Sequence, residues 1–100
     1  MGNQLSHKQK MRIFRRDGWK CQYCGVDASS DFEIFYLANL NIDHMNPKGG
    51  DDDSNLVTAC RQCNLNKRAH PFESFAEAKD FVLKKKAQNY EWFKKNVLTS

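Results

Sequence analysis

No stretch of this sequence approaches the roughly 18 consecutive apolar residues that a membrane-spanning helix needs, and the mean hydropathy is −0.78. A helical span is excluded, and the expectation is a water-soluble chain without a membrane partner. The N-terminus, MGNQLSHKQKMRIFRRDG, is polar and basic and lacks the apolar core of a secretory signal. An intracellular, reducing setting is therefore expected, which weakens a disulfide reading of any cysteines. Internal repeats, linkers and low-complexity segments are also missing. A chain of 100 residues with 40% apolar content has room for one domain with a marginal core, because small domains bury a smaller fraction of their surface. Something beyond apolar packing has to hold it.

The four cysteines supply a candidate. Cys21, Cys24, Cys60 and Cys63 form two Cys-x-x-Cys pairs, CQYC and CRQC. Two intervening residues let one tight turn aim both sulfurs at a point, and two such turns complete the tetrahedron that Zn²⁺ prefers. A redox dithiol needs only one pair, and a disulfide framework has no reason to repeat the spacing. Structural zinc is the expectation, and zinc-finger peptides gain roughly 10 to 16 kcal/mol from the metal. Four thiolates and one Zn²⁺ also change the charge: a formal +4 falls to roughly +2 when the site is loaded. The distribution says more than the total. Residues 1 to 20 hold six Lys/Arg and one Asp, residues 21 to 59 one Lys and seven Asp/Glu, and residues 60 to 100 nine Lys/Arg and four Asp/Glu.

Ser6 and Gln9 read as a capping box for a first helix of about ten residues, stopped at Asp17-Gly18. The segment DFEIFYLANLNIDHM is rich in β-branched and aromatic residues and predicts a strand or a hairpin. Within it Leu40, Ile42 and His44 alternate with Asn41, Asp43 and Met45. Pro47 and Gly49-Gly50 mark a turn, LVTA a short strand, and RQCNLNKRAH a helix ended by Pro71. On that helix Asn64, Lys67 and Arg68 share a face. Ser74 and Glu77 cap a lysine-rich amphipathic tail, with Phe75, Ala78, Val82, Leu83, Tyr90, Phe93 and Val97 as its apolar stripe. Tyr90, Trp92 and Phe93 are expected in the core rather than as base-stacking platforms. Lys84 to Lys86, Lys94 and Lys95 are expected on a solvated face.

The runs CQYCG, IDHMNPKGG and SNLVTACRQCNLNK, taken together over about residues 12 to 68, resemble the HNH endonuclease family. The resemblance implies a small zinc-stabilised α+β domain of the ββα-metal type, treble-clef-like, of the His-Me finger class, with flanking N- and C-terminal helices. One domain over residues 1 to 100 is implied, with the motif core at about 12 to 70 and a helical extension over 71 to 100. His44 matches the family's general base, Asp43 the acidic metal ligand before it, and Asn55 the asparagine that holds loop and histidine in register. Asn64 matches the last motif position, also a metal ligand, where the family name has histidine. DNA is the implied partner, with a homodimer or a phage or bacterial protein as a further one, in the cytoplasm of a bacterial or phage-infected cell.

Elementary chemistry agrees with those roles. Phosphodiester hydrolysis needs a nucleophile, a Lewis acid and help for the leaving oxygen. A histidine with a pKa near 6.5 can take a proton from water, and an Asp with an Asn offers hard oxygens suited to Mg²⁺ or Mn²⁺ rather than nickel or zinc. In a flat strand, however, Asp43 and His44 point to opposite faces, so both serve one site only if the strand twists or ends there. Arg61, Lys67 and Arg68 are expected to meet phosphate. Asp51, Asp52 and Asp53 read as a solvated turn, since three adjacent side chains cannot converge. His7 and His70 carry no argued role. Two functions remain: a metal-dependent DNA endonuclease or nickase of low sequence specificity, and a catalytically silent zinc module that binds nucleic acid or protein.

Overall fold

The computed structural model describes residues 5 to 67 and 72 to 99. The first helix, α1, runs His7–Arg16, and the Ser6 side chain accepts from the Gln9 amide at its start. That bond satisfies one of the donors a helix leaves open at its N-terminus. At the far end Arg15 and Arg16 sit where cations favour the helix dipole. A tight hairpin around the first cysteine pair follows, closed by Cys21 N–H to Val26 O at 3.0 Å and Ala28 N–H to Trp19 O at 2.9 Å. Its reversal depends on Gly25, whose φ of +84° is a conformation that residues with a Cβ resist.

The next element differs from the sequence expectation. Phe32–Ala38 is a helix, α2, capped by Asp31, whose side chain accepts from the Ile34 amide, and ended by Asn39 in the left-handed conformation. Local capping outweighed the β propensity of Phe, Ile and Tyr in this segment. Only Asn41–His44 forms a strand, β1. It pairs antiparallel with β2, Leu56–Ala59, with Asn41 opposite Ala59, Asp43 opposite Val57 and His44 opposite Leu56. A 3₁₀ turn at Asp53–Asn55 leads into β2, and α3, Arg61–Lys67, leaves it through the second cysteine pair. The strand pair followed by α3 is a ββα unit in a small α+β fold. Arg68, His70 and Pro71, read as part of that helix and its stop, lie outside the described residues.

The tail is one long helix, α4, Phe75–Phe93, running into a π-helical turn at Lys94–Leu98. Ser74 caps it and Glu77 turns back to the Glu73 amide at 3.0 Å. Its first half packs on α3 and buries Ala78 and Val82 in one cluster with Cys21, Cys60, Cys63, Tyr23, Ala28 and Ala59. The second half is not covered: Tyr90 is 56%, Trp92 63% and Phe93 41% exposed. Core placement of these three aromatics is therefore overturned, since the buried cluster takes only Ala78 and Val82 from this helix. No helix among the described residues is long and apolar enough to cross a membrane.

Candidate active site

The four cysteines converge. Their Sγ atoms all lie within 4.8 Å of one another, with Cys24 and Cys60 sulfurs 3.9 Å apart. A tetrahedron with Zn–S near 2.3 Å has edges of about 3.8 Å, so the set matches a zinc ion closely. Within each pair the second residue's amide points at the first sulfur, at 3.4 Å for Cys24 on Cys21 and 3.5 Å for Cys63 on Cys60. Hydrogen bonds from Cys24, Cys60 and Cys63 hold the Cys21 thiol far below its ordinary value, while the same crowding pushes Cys63 up. Several thiolates together need a dication to neutralise them.

Tyr23 lies between the first two cysteines and is buried. Its hydroxyl donates to Asp43 Oδ2 at 2.6 Å. The same oxygen lies 3.4 Å from the Lys67 ammonium, which also donates to the His44 carbonyl at 3.0 Å. Burial pushes the Asp43 carboxyl up from its ordinary value, against the downward pull of Tyr23 and Lys67. Burial, then the bond to Asp43, raises the Tyr23 hydroxyl strongly. Lys67 is 0% exposed, so its expected phosphate contact is corrected: an ammonium enclosed by Asp43, the His44 carbonyl and the Phe72 ring 5.8 Å away has no path to a nucleic-acid backbone.

Asp43 faces this buried network and His44, the last residue of β1, is half-exposed on the other side. Its Nε2 is 2.7 Å from Asp51 Oδ1. The conflict between neighbouring residues of one strand thus takes a definite form, with the strand ending at His44 and Lys67 bonding both residues from beneath.

Asn55 secures the loop that follows. Its Oδ1 accepts from the Asn46 amide at 3.0 Å, and its Nδ2 donates to the carbonyls of Asn46 at 3.1 Å and Gly50 at 2.9 Å. Gly49 packs so closely that a Cβ there would lie 2.8 Å from Asn55 Nδ2. Asn64 stands one turn before Lys67 on α3, on the face toward β1. Its side chain makes no hydrogen bond among the described residues. Arg61 is exposed at the start of α3.

Among the described residues the hydrogen bond and ion pair of the Asp43 carboxylate both fall on Oδ2, which leaves Oδ1, like the amide oxygen of Asn64, as an oxygen without a partner. Both are hard donors that leave most of an octahedral shell to water and phosphate, the pattern of Mg²⁺ sites.

Three contributions were missed at the level of sequence. Tyr23 had a signal in its position between two zinc ligands. Asp51 had one in the Gly-Gly turn that folds the chain back toward His44. The third is α1, which clamps the loop: Arg12 holds Asp53 at 2.7 and 2.9 Å, and Gln9 Nε2 reaches the Asp51 carbonyl at 2.7 Å and Asp53 at 3.2 Å. Arg16 spans Asp17 and the carbonyls of Asp53 and Leu56. Hydrogen bonds from Arg12 and Gln9 hold the Asp53 carboxyl down at about 2. The three aspartates diverge, as adjacent side chains must, but two of them are structural rather than merely solvated.

Comparison with known proteins places this architecture. The family described as HNH endonuclease matches residues 21 to 70. YoqL of Bacillus subtilis (strain 168), named as a candidate HNH endonuclease derived from the SPbeta prophage, is 30% identical over 79 residues. That alignment takes in 73% of this chain and 34% of YoqL, so the chain spans about a third of its relative. No solved structure matches. With half its length under the family's motif and its four cysteines gathered at one point, this chain belongs to the HNH endonuclease family.

Proposed function

We propose that the chain is a metal-dependent DNA endonuclease or nickase of low sequence specificity, with His44 as the general base. One observation supports this most directly: half-exposed His44 ends β1 as the residue after Asp43, and Lys67 on α3 bonds the Asp43 carboxylate and the His44 carbonyl, one turn from Asn64. Asp43 Oδ1 and the Asn64 amide oxygen would hold Mg²⁺ or Mn²⁺, which when bound supplies Lewis-acid stabilisation of charge on the phosphate. His44 takes the proton of the attacking water. Asn55 keeps the residues after His44 in place, since the Met45 amide bonds its carbonyl at 2.9 Å. Arg61, exposed at the start of α3, and Arg68, seven residues further along the sequence, meet the phosphate backbone. Structural zinc in the four-cysteine site holds these elements together.

We read the chain as one nuclease domain, because the start of α4 shares a core with the cysteines. The prophage relative favours a phage or bacterial setting inside the cell, with a homodimer or partner protein adding any base specificity. Supercoiled plasmid incubated with Mg²⁺ or Mn²⁺ tests the assignment. The full chain should relax it and the His44→Ala variant should not. No nicking above the variant's background with either metal would favour the silent zinc-binding module instead. Duplex affinity should also fall with salt, and Arg61→Ala should lower that log–log slope by about 1.

A further inference from the structure

We propose that Asp51 is a positioning residue for His44, fixing which ring nitrogen carries the proton and which faces the water. The inference rests on His44 acting as the base. An ionised carboxylate only accepts hydrogen bonds, so the 2.7 Å contact between Asp51 Oδ1 and His44 Nε2 places the proton of the neutral ring on Nε2. Nδ1 is then left with its lone pair free to accept a proton. The same logic orients histidines in other sites, where a carboxylate on one ring nitrogen sets the tautomer and stabilises the imidazolium that forms.

Asp51 is built to hold this position. The Asn55 amide fixes the carbonyl of the preceding residue, Gly50, at 2.9 Å, and the Gln9 side chain fixes the Asp51 carbonyl at 2.7 Å. Two elements remote in sequence, α1 and the residue before β2, thus grip the backbone on both sides of the carboxylate. Asp52 and Asp53 do not compete: Asp53 is occupied by Arg12 and Gln9. The imidazole and the carboxylate are each about one-third exposed, at 30% and 35%, so the pair lies at the surface rather than sealed in the core.

The test uses the zinc-loaded full chain. Imidazole ¹⁵N shifts, recorded well above the ordinary histidine pKa of about 6.5, should show His44 of the unmutated protein as the Nε2–H tautomer. Asp51→Asn should shift that tautomer toward a mixture and lower kcat for plasmid nicking about 10- to 100-fold with KM little changed. Asp51→Glu should recover part of the rate. An Nδ1–H tautomer in the unmutated protein overturns the proposal. Full kcat in Asp51→Asn while His44→Ala is inactive overturns it too and leaves His44 standing as the base. Full activity in His44→Ala removes the base assignment and this proposal together.

Discussion

The Tyr23 hydroxyl reaches 2.6 Å to Oδ2 of Asp43, so a residue between two clustered cysteines holds the buried carboxylate of β1. Sequence adjacency to Cys21 and Cys24 puts Tyr23 in the first cysteine turn, and burial keeps its proton in place. Removing the hydroxyl with Tyr23→Phe leaves a buried carboxylate short of one donor. A cost of about 1.5 to 3 kcal/mol is expected, as for hydrogen bonds to charged groups, read from the denaturant midpoint of the zinc-loaded protein.

The same hydroxyl predicts an alkaline limit. Its folded pKa is raised above the ordinary value, so the stability it contributes is fully present below about pH 10, where an unfolded tyrosine ionises. Above that the unfolded chain loses a proton the folded chain keeps, and stability falls by up to about 1.4 kcal/mol per pH unit. Thermal melts across this range should show a steeper alkaline loss for the unmutated protein than for Tyr23→Phe. Equal slopes would mean the hydroxyl is not enclosed as described.

Lys67 and Asp43 make a second prediction. The ammonium is 0% and the carboxylate 7% exposed, and breaking a buried pair from one side leaves an uncompensated charge. Lys67→Met should cost about 3 to 5 kcal/mol, and adding Asp43→Asn should restore part of it. A double variant as unstable as the sum of the singles would show that the two groups do not interact.

The glycines of the loop make a controlled comparison. At Gly49 a Cβ would collide with Asn55 Nδ2 at 2.8 Å and crowd the Asn46 carbonyl at 3.2 Å, whereas at Gly50 nothing lies within 4 Å. Gly49→Ala should therefore displace the asparagine brace, at about 0.5 to 1.5 kcal/mol for each bond lost, and slow nicking. Gly50→Ala should do neither. Amide shift changes in Gly49→Ala should concentrate between residues 44 and 55.

How far all this was legible depends on where the causes lie. Ser6, Ser74 with Glu77 and the two Cys-x-x-Cys turns are local devices that stand where they were read, although the Gln9 side chain goes to Asp51 and Asp53 rather than back to Ser6. The ββα unit was implied by the family resemblance of the runs around the cysteines rather than by these local devices. The helix at α2 was not legible, since its aromatic composition favours strands while the deciding groups are single residues at its ends, Asp31 and Asn39. Lys67 looked like a surface cation because its polar partners, Asp43 and the His44 carbonyl on β1, lie more than twenty residues away in sequence. Asp51 was hidden for the opposite reason: a run of three identical residues masked the one that the Gly-Gly turn carries back to His44.

Zinc removal tests the energetic premise of the fold. The buried cluster around the four sulfurs is made mainly of small side chains, Ala28, Ala38, Ala59, Ala78 and the cysteines, with Val82 and Tyr23 as its larger members. Such packing yields little transfer energy, because hydrophobic stabilisation follows the apolar area buried. Structural zinc contributes roughly 10 to 16 kcal/mol in comparable small sites, against a total stability of about 5 to 15 kcal/mol for ordinary domains. Losing the first term should therefore exceed the second. A strong zinc chelator should abolish the cooperative melt and much of the helical circular dichroism, with recovery on adding Zn²⁺. Weak chelation that takes only Mg²⁺ should stop plasmid nicking and leave the melt in place. A melt unchanged after complete zinc stripping would mean that the apolar cluster and the buried Tyr23–Asp43–Lys67 network hold the fold without the metal.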